Sequence, residues 1–432
     1  MPEGNQQAIT RRGLLSHGGR LVLGASAGSV LLAACGEDSG SGGGSGGGGA
    51  KKGGTIRVGL QESLYDTYRP HIDAFTKQTG IKVRLSAVPP AGGDQVTQLT
   101  PQFSSSTTPV DALMTSDEAT PSFIQAGWLE PLTAEWNKVK DDHPADMQAY
   151  VKQWSSKDGE VYRIPMGWSV GFYWVRQDVL DRLKADVPAK WDDVLDLKQK
   201  ASSRGMFAFA DAVSKPSLAT VYMAYLCSQS GGQLFDFDDG TRQAFQYAKQ
   251  LIDTKAFPKA ALNWTYDQLN ANYMNDKIAT MRQWNYFFSV ARDNKKWFED
   301  DKAVIVLPPA GPAGRGTWAG AWGWTIPKFS KSVDQAKQFI AFMTTSELAP
   351  QLAKANSQLV MPRSSINEAM PDDGTVKAMA EYSKAGVTKT RPWNANVGQA
   401  QCVVDTIASS YLSGQMSLDE AMTKGKQRID AI

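Results

Sequence analysis

Side chains able to make or break bonds are scarce in this 432-residue chain, whereas side chains able to hold a polar solute are plentiful. It contains only three histidines and three cysteines, which gives no basis for a His/Cys metal cluster or a histidine-based nucleophile triad. Asp236-x-Asp238-Asp239-Gly240 opens like a calcium loop, but its last position holds Tyr247 where a closing glutamate is required. A helix N-cap with acids favoured by the helix dipole explains that run better. No Walker-type glycine loop or dinucleotide fingerprint occurs. No cofactor is expected. The remaining candidates are carboxylates, which accept several charge-assisted hydrogen bonds from hydroxyls, and aromatic rings, whose faces suit the C–H surface of a sugar. Thirteen tryptophans are present. Carboxylates and tryptophans in a cleft would serve a binding protein, and they would equally serve a glycan-active enzyme with paired carboxylates.

The elements that must position these groups alternate. Thr55–Leu60 reads as a buried strand, followed by the loop Gln61–Tyr65 and a helix to Gly80 with Tyr68, Ile72 and Phe75 on one face. Gly80 fits a helix C-cap before a strand at Ile81–Ala87. A polar helix near Asp94–Phe103 leads to a third strand, Asp111–Met114. The alternation predicts a three-layer α/β lobe, with ligand beyond the carboxyl ends of its strands. That places Glu62, Tyr65 and the loop Thr115–Glu118 at a site. Asp117, at the end of the third strand, has a second reading as the N-cap of a helix Ala119–Ala126. Later, Ala303–Pro308 reads as a buried strand and Gly311–Gly316 as an exposed loop. Ser332-x-x-Gln335 and Ser417-x-x-Glu420 read as capping boxes, opening helices that bury Ala336, Phe339, Ile340 and Met343, and Leu418, Ala421 and Met422.

The N-terminus carries an address. Arg11-Arg12, the apolar run Leu21–Ala34 and the small residues before Cys35 form an export signal of twin-arginine type. The run is too short to span a ~30 Å hydrocarbon core. Leu32-Ala33-Ala34-Cys35 resembles the lipobox of bacterial lipoproteins, which implies a lipid on Cys35. The Gly/Ser tract Ser39–Gly49 is a flexible tether. Loss of residues 1–34 removes Arg11, Arg12, Arg20 and Glu3, and leaves acids and bases in balance. Nucleic acid is therefore not an expected partner. The remaining length exceeds what one core usually serves, so two lobes are expected. Cys227 and Cys402 have two open readings, a disulfide or two buried thiols.

The body resembles the extracellular solute-binding proteins of family 1, the maltose-binding-like receptors of ABC importers. The resemblance rests on motifs in order: Phe123–Leu132, with Ala126-Gly127-Trp128-Leu129-Glu130-Pro131; Gly159–Pro165 with Gly171–Leu180; Pro188–Val194; Ser228–Phe235, with Gly231-Gly232; Asn275–Met281, with Asp276 where the family has glycine; Gly320–Ser330; and Leu412–Ala421. It implies a two-lobed type II periplasmic-binding-protein fold, each lobe a three-layer α/β sandwich, with the ligand cleft between lobes. The implied lobes are 54–165 with 320–363, and 166–319 with 364–432, after a signal at 1–34 and a lipidated linker at 35–53. The chain should cross between lobes near Pro165–Ser169, Gly320–Trp324 and Met361–Ser364. Asp117 and Asp211, the latter after the apolar run Met206–Ala210, stand where the family places sugar-binding acids. The resemblance adds Trp168, Trp284, Tyr286, Trp322, Arg391 and Trp393 to Glu62 and Tyr65 as cleft candidates. Trp322 is expected to shape the cleft floor, and Trp324 to face the core. Trp128, Trp136, Trp154, Trp191 and Trp297 are assigned to packing. The function implied is a monomeric, lipid-anchored, extracytoplasmic receptor that closes on a carbohydrate and delivers it to a permease, without catalysis. Polyamine-binding relatives share the fold, and ammonium groups too are held by acids and aromatics.

Overall fold

The computed structural model describes residues 53–89, 92–294, 302–394 and 396–432. The expected export signal, Cys35, the Gly/Ser tract and Trp297 lie outside them. The chain divides into two units, Met1–Gly49 and Ala50–Ile432, and all described residues belong to the second. Among the described residues, no helix is long and apolar enough to cross a membrane.

Eleven strands are described: β1 (Gly54–Leu60), β2 (Ile81–Ala87), β3 (Ala112–Ser116), β4 (Ser156–Lys157), β5 (Glu160–Val161), β6 (Ile164–Arg176), β7 (Phe207–Ala210), β8 (Ile278–Trp284), β9 (Ala303–Val306), β10 (Thr317–Thr325) and β11 (Thr388–Thr390). Nine of them form one sheet in the order β2-β1-β3-β10-β6-β8-β7, with β11 on β10 and β9 on β6. Helices fill the connections, as parallel strands buried on both faces require. The helix Tyr65–Thr79 buries Tyr68, Ile72 and Phe75. Gly80, at φ 75°, donates to Thr76 O and releases the chain into β2. Asp276, which stands where the resemblance implies a glycine, adopts φ 60°. The position thus keeps the left-handed backbone that glycine adopts without strain.

Two strands serve both halves of the sheet. β6 pairs with β10 through Ile164–Val170, then with β8 and β9 through Gly171–Arg176. β10 pairs with β11 through Thr317–Ala319 and with β3 through Trp322–Thr325. The buried apolar side chains divide accordingly. One core holds Ile56, Phe75, Met114, Trp324 and Phe339, with a satellite around Phe103 and Phe123. The larger core holds Phe172, Phe209, Phe245, Tyr382 and Ile407. A third passage runs beside β6, where Trp168 N donates to Val360 O at 3.1 Å.

Several local expectations change. Ser332 precedes the helix Val333–Met343, but its side chain makes no cap bond, because its backbone has turned to φ −128°, ψ 39°. The second cap forms, with Ser417 accepting from Glu420 N. Asp238 caps the helix Asp239–Asp253 by accepting from Thr241 N, so the calcium-like run is a helix start. β9 is half-buried, since it pairs only with β6 at the sheet margin. The loop Gly311–Gly316 is not simply exposed: Gly316 lies so close to Ser228 O that a Cβ would stand 2.2 Å from it. Cys227 is buried and Cys402 exposed, and both are free thiols, so neither reading of the pair holds.

The third passage is pinned by Asp142, which accepts from Ser365 N at 2.8 Å, Ser365 Oγ at 2.6 Å and Arg363 Nε at 2.7 Å. Burial alone would raise its pKa, but the bonds from Ser365 and the Arg363 charge hold it at about 2. Beside it, burial and Arg363 push buried His143 down to about 3. The unfolded chain protonates His143 near its ordinary value of 6.5, so between there and about pH 3 it binds a proton that the folded chain refuses. This contribution is complete above pH 6.5 and is lost as pH falls. The melting temperature should therefore fall from pH 7 to pH 4, and His143→Gln should reduce that fall; an unchanged difference would assign the pH dependence elsewhere.

Candidate functional site

Asp117 follows β3 directly, and its carboxylate does not cap a helix: the next helix, Thr120–Gln125, has Ala119 at its N-cap. Instead Tyr150 Oη donates to Asp117 Oδ2 at 2.8 Å, and Arg391 Nη2 lies 3.2 Å from Asp117 Oδ1. The other Arg391 nitrogen, Nη1, contacts Glu118. Asp117, Glu118 and Arg391 are all at least nine-tenths buried. Burial pushes the Asp117 carboxyl up, and the charges of Arg391 and Arg163 oppose that push.

Gly320 makes this arrangement possible. A Cβ there would stand 2.2 Å from Asp117 Oδ2, so any side chain would displace the carboxylate. β11 runs parallel to β10, in register from Thr317↔Thr388 to Ala319↔Thr390. The next residue, Arg391, is thereby delivered beside Gly320. Its guanidinium lies over the ring of Trp318, 4.5 Å from the centroid. Trp318 in turn meets Trp284 edge-on at 4.8 Å.

A second ion pair lies beyond Trp284. Arg282 Nε and Nη2 donate to Asp211 at 2.7 and 2.6 Å, with both side chains fully buried. Burial raises the Asp211 pKa while Arg282 opposes the rise. Arg282 lies over the Trp284 ring at 4.7 Å. The result is a continuous row: Asp117, Arg391, Trp318, Trp284, Arg282, Asp211.

The structure therefore gathers Asp117, Asp211, Trp284 and Arg391. Trp168 adjoins them, packing edge-on against Tyr150 at 4.8 Å. Trp393 is 45% exposed and meets buried Trp154 edge-on at 4.7 Å. Tyr286 is half-buried, with its hydroxyl accepting from Asn270. Glu62 is exposed at the start of a short 3-10 helix, and half-buried Tyr65 packs against the core around Phe75. Trp322 also packs, half-buried, against that core, the one that holds Trp324. Residues two apart on a strand share a face.

Four participants had no signal of their own in the sequence. Tyr150 is one position in a helix, Ala145–Trp154, and Trp318 is one of thirteen tryptophans. Arg282 could have been found through Trp284, since period two puts both on one face of β8. Asn285 is fully buried; its Oδ1 accepts from Val170 N at 3.2 Å and its Nδ2 donates to Ser357 O at 2.6 Å. It thus ties β6 to the third passage. Among the described residues, no three His, Cys, Asp or Glu side chains form a metal-holding group.

Comparisons with known proteins agree on the fold. The model of the bacterial extracellular solute-binding proteins matches residues 59–350. A maltose-bound MalE3 of T. maritima superposes with a TM-score of 0.77 at 20% identity, over 87% of this chain and 99% of that one. The GacH receptor of Streptomyces glaucescens gives 0.76 at 20% identity, over 87% and 97%. A sugar transporter protein from Arthrobacter chlorophenolicus with bound laminaribiose gives 0.75 at 17% identity, over 88% and 99%. A curated relative from Sinorhizobium fredii, a probable amino-acid ABC transporter periplasmic-binding protein, is 22% identical over 171 residues, 38% of either length.

Three substitutions test the geometry. Arg282→Met should leave Asp211 buried and uncompensated, at a cost of about 3–5 kcal/mol in denaturant unfolding. Adding Asp211→Leu should recover most of that loss, and a double variant no more stable than the single would disprove the pairing. Gly320→Ala should cost about 1–3 kcal/mol by forcing the Asp117 carboxylate aside; wild-type stability would show that the strand yields instead.

Proposed function

Because this chain belongs to the bacterial extracellular solute-binding proteins, we propose that it is the receptor of an ABC importer and binds a carbohydrate in the crevice around Asp117, Trp284 and Asp211. The reading is supported above all by the row of acids, guanidiniums and indoles, whose tryptophans Trp284 and Trp318 are buried at the larger core. The acids Asp117, Glu118 and Asp211 are matched by Arg163, Arg282 and Arg391. A site balanced in this way suits a neutral, polyhydroxylated solute. A polyamine would bring ammonium groups toward arginines already in place. Solved relatives in complex with maltose, acarbose or laminaribiose lend the sugar reading further weight.

In this proposal the lobes are 54–165 with 320–363 and 166–319 with 364–432, and they close about β6, β10 and the passage pinned by Asp142. Trp168, Trp284 and Trp393 offer ring faces or edges, Tyr286 a hydroxyl, and Glu62, Tyr65 and Trp322 margin the crevice. No bond is made or broken: Asp117 and Asp211 are held in ion pairs, not poised as acid and base. Twin-arginine export, lipid on Cys35 and the Gly/Ser tether would keep the monomeric receptor at the outer face of the membrane, near its permease.

Tryptophan fluorescence of a protein beginning at Lys51 tests the reading. Titration with mono- and oligosaccharides, polyols, polyamines and amino acids should give a saturable change with a saccharide. Trp284→Ala should weaken it by about tenfold or more. Saturation by polyamines or amino acids alone would replace the solute class, and glycan turnover lost with Asp117→Asn would replace the receptor with an enzyme.

A further inference from the structure

The aromatic faces of the crevice already carry cations that belong to the chain itself. Arg391 covers Trp318 at 4.5 Å while reaching both Asp117 and Glu118. It is only 9% exposed, yet its support is slight. It follows the three-residue edge strand β11 and precedes Pro392 and the exposed Trp393. Two adjacent buried carboxylates and an indole face make a cation site by their chemistry: the acids supply charge and acceptors, and the ring supplies its electron-rich face. The guanidinium in that site is an internal one.

We propose that Arg391 is a built-in occupant of a cation subsite formed by Asp117, Glu118 and Trp318, and that it thereby excludes cationic solutes from the crevice. The proposal rests on the reading of this crevice as the solute site. Without Arg391, the subsite would hold two buried carboxylates beside an uncovered indole and would attract any small planar cation. With Arg391, an incoming guanidinium or amine meets a like charge and a covered ring. A neutral solute meets no such opposition. The residue is then a specificity determinant that acts by occupancy.

The test uses guanidinium ion as the probe, with no sugar present, at low millimolar concentration against sodium chloride of equal ionic strength. Wild-type protein should show no saturable change in tryptophan fluorescence and no rise in melting temperature. Arg391→Ala and Arg391→Gln should each show both, with apparent affinity at least about tenfold above any wild-type response. Adding Asp117→Asn should abolish the response. Arg391→Lys should resemble wild type, since an ammonium still fills the subsite. The Gln variant keeps a polar side chain in place should the Ala variant fail to fold. Folded Ala or Gln variants blind to guanidinium, or a wild type that binds it equally, would overturn the proposal. Failure of the carbohydrate reading would register separately, as wild-type silence toward saccharides in the fluorescence panel.

Discussion

The backbone hydrogen bonds of β6 and β10 are divided between two groups of strands, and the rest of the molecule is arranged around that division. A strand that pairs with β10 along its first half and with β8 and β9 along its second belongs to neither side alone. Apolar side chains on each side collapse onto their own helices, so two main cores form. Asp117 and Asp211 follow the carboxyl ends of β3 and β7, Arg282 lies within β8, and Arg391 follows β11.

Burying charges at such a place constrains their partners. A carboxylate removed from water must find a cation or a set of donors. Asp117 has both, in Arg391 and Tyr150, and Asp211 has a two-pronged pairing with Arg282. These pairs contribute more to geometry than to stability, since desolvation offsets much of the Coulomb attraction. They hold Trp318 and Trp284 between them, and the small residues nearby serve the same end. Gly320 lets the Asp117 carboxylate approach the strand, and the parallel register of β11 brings Arg391 to meet it.

Local order was legible wherever neighbours in sequence decide the outcome. The first helix and the strand Ile81–Ala87 follow from apolar periodicity and from Gly80, and both stand as read. Ser417 caps its helix because the bond spans only three residues. Ser332 has the same pattern, yet its side chain makes no such bond, because the incoming chain sets its backbone away from cap geometry. Cys227 and Cys402 show the same limit: whether two thiols can pair depends on helix placement, which spacing does not encode.

The site divides in the same way. Sequence by itself determined the alternation of strands and helices, the supply of acids and indoles, the scarcity of catalytic side chains, and Asp117 at a strand end. Only the tertiary structure decided that Asp117 faces Tyr150 and Arg391, that Trp318 rather than Trp322 joins the row, and that Arg282 neutralises Asp211. The reason is physical. Periodicity reports which face of an element is apolar, a property of residues two to four apart. The partner of a buried charge is chosen by packing and register among segments that meet only after the sheet has formed.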